Sequence, residues 1–170
     1  MKLLKLPLKL LDIIEYYGII FILVSLAAIL LTQIFYRYVL GRSVRGAEEM
    51  SRYLLVWLCF IGAPYVINKG GGHISIKLFA MLLPPKARNL LKLTTNFIVI
   101  ISFLYILPTS YQYSIEMGRL GTPALGIPRT YVFISLPISL FLMIIRLLQV
   151  NIRILTNLEE ENIASFYLKN

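Results

Sequence analysis

The stretch Tyr16–Tyr36, YYGIIFILVSLAAILLTQIFY, runs for 21 residues without a charge between Glu15 and Arg37. A helix crossing the roughly 30 Å hydrocarbon core of a bilayer needs about 20 apolar residues, so this segment predicts a membrane-spanning helix over about 13–38. Its apolar residues do not alternate with period two, which argues against a strand of a membrane β-barrel. Ser25-Leu26-Ala27 has the small-residue character of a signal-peptide cleavage site. The apolar run, however, continues well past it and exceeds the roughly 7–15 residues of a signal core. The segment is therefore read as a retained span.

Three further runs repeat the pattern. Tyr53–Asn68 has 16 uncharged residues, Leu93–Ile115 has 23 and Thr130–Ile145 has 16. The second gains length if its helix starts near Ala47, with Glu48, Glu49 and Arg52 in the opening turns. The fourth continues through Leu147–Ile152 if Arg146 snorkels towards water. The expected spans are thus about 13–38, 48–68, 88–115 and 129–152. Together they make an all-α integral membrane protein, with residues 1–170 as a single membrane domain. Pro64, Pro108 and Pro137 fall within the later spans and are expected to kink them, with neighbouring groups satisfying the freed carbonyls.

Two segments read as interfacial. In MKLLKLPLKLL (residues 1–11), Lys2, Lys5 and Lys9 lie among leucines and Pro7 is expected to interrupt any helix. This is a basic strip suited to the lipids of an anionic leaflet. ISIKLFAMLL (74–83) is too short to cross, bounded by Gly70-Gly71-Gly72 and Pro84-Pro85. It reads as a short amphipathic surface helix after the second span, anchored by His73.

The 58% hydrophobic and 15% charged composition of these 170 residues departs from the roughly 25% charged residues of a soluble domain. A net charge of +9 without a soluble basic domain points to charge in membrane loops, not to nucleic acid. Placing the N-terminus inside puts eleven lysines and arginines on the cytoplasmic side and six outside. The positive-inside rule then sets both termini in the cytoplasm. Cys59 has no second cysteine to pair with and reads as a small buried apolar side chain.

Little chemistry is on offer. One histidine cannot hold a haem by two histidines, no His/Cys/Asp/Glu group has metal-ligand spacing, and the three glycines lack the context of a phosphate loop. No enzyme activity, cofactor or metal is expected. The spacing of Glu48, Glu49 and Arg52 puts both carboxylates on the helical side of the guanidinium, where one also suits the positive end of the helix dipole. Three readings stand open: an interface marker, an ion pair that fixes docking to a partner, or a proton or cation site. Thr122, Pro123, Gly126 and Pro128, within GTPALGIP (121–128), specify a rigid turn, with Pro128 opening the fourth helix.

Taken in order, Arg37–Ser43 (RYVLGRS), Glu48-Glu49, Arg52, Leu54–Leu58 (LLVWL, with Trp57), Gly62-Ala63, His73-Ile74 and Thr122–Pro128 (TPALGIP) resemble the small permease (DctQ-type) subunit of TRAP (tripartite ATP-independent periplasmic) transporters, over roughly residues 13–150. The resemblance implies a multi-pass protein of the bacterial inner membrane that packs against a large permease subunit as static scaffold. The large subunit would carry out sodium-coupled uptake of a C4-dicarboxylate, sialic acid or another organic acid delivered by a periplasmic binding protein. Within that reading Glu48, Glu49, Arg52 and Trp57 are candidates for subunit packing or a helix ion pair, and Arg42, Arg45, Arg119 and Arg129, which the charge count places outside, are candidates for docking of the binding protein by charge complementarity. Gly46 stands where the family usually has tryptophan, which is expected to loosen an outer contact. Lys77 replaces an aspartate after His-Ile, adding a charge on the cytoplasmic side. The rivals are a stand-alone proton-coupled exporter and an accessory subunit of an unrelated complex. Against the exporter, both acids lie at a helix end beside an arginine, where they stay ionised.

Overall fold

The computed structural model describes residues 2–68 and 84–167, with side chains over 9–68, 84 and 87–156. The expected surface helix 74–83, with His73 and Lys77, lies outside the described residues. In chain order the elements are α1 (Lys2–Val39), α2 (Ala47–Asn68), α3 (Pro85–Glu116), a 3-10 turn (Met117–Arg119), α4 (Thr130–Phe133) and α5 (Ser135–Tyr167). Four stretches are long and apolar enough to cross a membrane: Lys9–Val39, Ala47–Asn68, Ala87–Arg119 and Thr130–Thr156. One expectation fails at the start of the chain. Helix α1 runs through Pro7 without a break, since a proline this close to a helix start removes only one ladder bond and has little helix before it to disrupt.

The helices run up and down but do not close into a bundle. Helix α1 packs on α2, α2 on α5, and α5 on α3. Among the described residues α1 and α3 make no backbone approach to each other, so the four form an open row with α5 and α2 inside. Consequently Ile100, Ile144 and Leu147 form the compact apolar cluster between α3 and α5, whereas α1 buries Ile22 alone among its described large apolar side chains. Cys59, expected to be buried, is exposed, because a row one helix thick leaves two open faces.

Backbone accounting explains how the inner helices meet. Pro64 lacks the N–H that would bond the carbonyl of Phe60; the Ser139 hydroxyl of α5 donates to that carbonyl at 2.5 Å. Pro137 likewise frees the carbonyl of Phe133 and splits the fourth span into α4 and α5. The Ser114 hydroxyl of α3 reaches that carbonyl at 2.9 Å, sharing its proton with Ser110 O at 2.7 Å. Both serines are about 99% buried. Small side chains let the helices approach, and their hydroxyls replace the missing donors.

The end of the row that carries the chain termini is held by an ionic cluster. Arg146, expected to snorkel, is only 1% exposed. Its Nη2 lies 2.6 Å from Glu15 Oε2 and 2.7 Å from Asp12 Oδ1. Its Nε donates to Glu15 Oε1 at 3.2 Å and its Nη1 to Gln149 Oε1 at 3.0 Å. Asn68 at the end of α2 donates to Asp12 at 2.7 Å. The charge stays inside because Asp12 and Glu15, three residues apart on one face of α1, offer a planar five-donor group more partners than the interface would. Removing one member of a buried pair costs about 3–5 kcal/mol, whereas replacing both by apolar groups is often neutral. Arg146→Leu is therefore expected to lower stability in detergent by about 3–5 kcal/mol, and Arg146→Leu with Glu15→Leu to recover most of it. Denaturation of both variants measures this, and equal losses would show that the two side chains are not coupled.

Candidate functional site

At the opposite end, the 40–46 connection meets the 120–129 turn. The turn is built by its own backbone: Thr122 N–H donates to Ile127 O at 2.9 Å, Gly126 N–H to Thr122 O at 3.0 Å and Arg129 N–H to Leu120 O at 3.1 Å. Gly126 takes a φ of +68°, a conformation that favours glycine. Thr122 is buried, and its Oγ1 accepts from Ile127 N–H at 3.0 Å. Pro123 lines the cleft described below, and Pro128 forms a bridge with Gly121 just before α4.

Glu49 fastens this turn to α2. Its Oε2 accepts the backbone N–H groups of Ala124 (2.8 Å) and Leu125 (3.0 Å). Its Oε1 accepts the Tyr53 hydroxyl, which also meets the Thr122 side chain. Leu125 in turn lies over Gly46: a Cβ at residue 46 would fall 2.6 Å from Leu125 Cδ2, and the glycine holds a φ of +82°. Leu125 thus occupies the space that a side chain at residue 46 would take. Trp57, half-buried, donates its indole N–H to the carbonyl of Tyr131 at 2.9 Å, tying α2 to α4.

The three charges that head α2 therefore divide. Arg52 pairs with Glu48 at 2.7 Å, with the two side chains 70% and 73% exposed, while Glu49 goes to the turn. A cleft of about 540 Å³ opens between the two connections, lined by Arg45, Arg52, Arg129, Glu48, Glu49 and Pro123 among others. Arg42, Arg45 and Arg119 are exposed and Arg129 is half-buried. None of the four makes an ion pair among the described residues. With both glutamates already engaged, the surface here is positive. Among the described residues no group of three His, Cys, Asp or Glu side chains is placed to hold a metal.

Sequence reasoning found the loop-end residues but missed Asp12, Glu15, Asn68 and Gln149, whose spacing carries no motif. The available signal was Arg146 itself, a charge inside an apolar run, which calls for a named partner.

Because Glu49 alone links α2 to the turn backbone, Glu49→Ala is expected to speed limited proteolysis within 120–129 severalfold. Glu48→Ala should leave the rate near that of the parent chain, since exposed pairs contribute only about 0.2–1 kcal/mol. Equal rates for the two variants would remove Glu49 from this role.

Residues 26–157 match the family model described as tripartite ATP-independent periplasmic transporters, DctQ component. The sialic acid TRAP transporter small permease protein of Vibrio cholerae is 30% identical over 146 residues, covering 86% of this chain and 84% of that protein. A putative TRAP transporter small permease protein of Haemophilus influenzae is 28% identical over 109 residues, covering 64% and 66%. The isethionate TRAP transporter permease protein DctMQ of Oleidesulfovibrio alaskensis is 27% identical over 139 residues, 75% of this chain but only 21% of that longer protein. The chain belongs to the DctQ-component family of TRAP transporters: it is a small permease subunit of the inner membrane that works with a large permease, a transport component and not an enzyme.

Proposed function

We propose that this subunit is a static scaffold beside the large permease for sodium-coupled uptake of an organic acid, with the loop end on the periplasmic side. The observation that carries the scaffold role is the open row. Across the row the helices tie most of their buried polar groups to one another, and both faces remain apolar and exposed. A layer of this kind needs a protein neighbour more than it offers a path of its own. The DctMQ relative, in which the matching segment is a fifth of a longer permease, supports placing that neighbour in the same assembly.

The orientation rests on the charge count, eleven basic residues against six. It sets Arg42, Arg45, Arg119 and Arg129 facing the periplasm, where a soluble binding protein would arrive. Complementary charge there acts mainly on encounter rate and fades with salt. The carboxylate chemistry of an organic acid belongs, in this reading, to the large permease and the binding protein.

Purified alone in liposomes, the chain is expected to carry no organic acid, while liposomes that also hold the large permease and binding protein should take it up. Transport by the chain alone would favour the exporter instead. An alkaline phosphatase fusion after Asn170 should be inactive and one inserted near Arg119 active; the reverse pair would invert the topology. Replacing Arg42, Arg45, Arg119 and Arg129 together by alanine should slow uptake at low salt and matter less at high salt. Unchanged uptake would exclude electrostatic docking at this end.

A further inference from the structure

The two edges of the row differ in a way that lipid alone does not accommodate. Along α1 the exposed mid-span side chains include Ile20, Phe21, Val24 and Leu31. The one hydroxyl among them, Thr32, turns back onto Ala28 O at 2.8 Å. This edge is suited to acyl chains.

Helix α3 is different. At about 100° per residue, Thr94, Ser102, Tyr105, Thr109, Gln112 and Glu116 fall within an arc of about 80°. All six are exposed. The arc lies opposite Asn96, Ile100, Phe103 and Ser114, which face α4 and α5 through the Asn96–Asn151 bond, the apolar cluster and the Phe133 carbonyl. Thr94 and Ser102 satisfy themselves on Leu90 O and Ile98 O, each at 3.0 Å. Tyr105 (83% exposed), Thr109 and Gln112 have no hydrogen-bond partner among the described residues. A second unmet group lies on the same helix but beside this arc, with Leu104 about 80° from the Thr94 edge at 100° per residue. Pro64 and Pro137 each leave a carbonyl that a serine of a neighbouring helix fills, but no described side chain donates to the carbonyl of Leu104 that Pro108 frees.

Unsatisfied polar groups at membrane depth each cost several kcal/mol in hydrocarbon, and bonding between helices removes that cost. We propose that the outward face of α3 is the seam on which this subunit packs against a hydrogen-bonding transmembrane helix of the large permease, with Tyr105, Thr109 and Gln112 making the bonds. Helix α1 then faces lipid. The proposal rests on the reading that the chain stands beside a large permease, and adds which edge does so and by what chemistry.

Site-specific photo-crosslinking in the full co-expressed complex tests it. Ile98, within the seam, and Val24, on α1, are 58% and 61% exposed in the chain alone, so a benzophenone side chain at either position starts from equal access. The probe at 98 should yield an adduct with the large permease and the probe at 24 none. Adducts from 24 and none from 98 would overturn the proposal, as would an adduct between two copies of this chain from 98. In a second arm, Tyr105→Phe, Thr109→Val and Gln112→Leu combined should weaken recovery of the large permease about twentyfold, at the usual strength of three bonds between membrane helices. Undiminished recovery removes the seam while leaving the partnership intact. A parent chain that recovers no large permease removes both.

Discussion

Arg146 lies within an apolar helix, about 99% buried, and its guanidinium reaches two carboxylates on α1 and an amide on its own helix. Among the described residues backbone packing brings α1 only to α2, and the arginine is what connects α1 to α5 there. Asn68 adds the end of α2 through Asp12. One side chain thereby fixes three helices at one end of the row. It does so because a cation with five donors in low dielectric must be surrounded, or the helix that carries it moves to where water can do the surrounding.

The same demand, applied to neutral groups, accounts for the rest of the packing. Prolines in α2 and at the start of α5 strip donors from Phe60 and Phe133, and Ser139 and Ser114 from adjoining helices supply them. At the loop end Glu49 plays the corresponding part for a turn, gathering two backbone N–H groups and a tyrosine hydroxyl. Since Glu48 is occupied by Arg52, the remaining arginines stay uncompensated. The two ends therefore differ in kind: one holds buried ion pairs, the other presents a positive surface.

An open row also leaves more apolar surface than a closed bundle of four helices would. Exposed Phe21, Leu31 and Tyr105 are at home in a bilayer or against another membrane protein. Between those alternatives, polar atoms on the exposed face decide, because lipid tails offer them nothing.

Much of this was legible in the residues. Uncharged runs bounded by charged residues, such as Tyr16–Tyr36 between Glu15 and Arg37, determined four membrane helices, because length and hydropathy are local properties. The ordered pattern from RYVLGRS to TPALGIP placed the chain in its family, and GTPALGIP announced a tight turn. What only the tertiary structure decided is which helix lies beside which, and so which charges find each other. Arg146 read from sequence as a snorkelling residue, since nothing local says that Asp12 and Glu15, more than 130 positions away, stand within reach. Glu49 read as one of two equivalent acids until the turn arrived above it. Neighbour order in a membrane is set by matching donors and acceptors across helices, and that matching is a property of the assembled row.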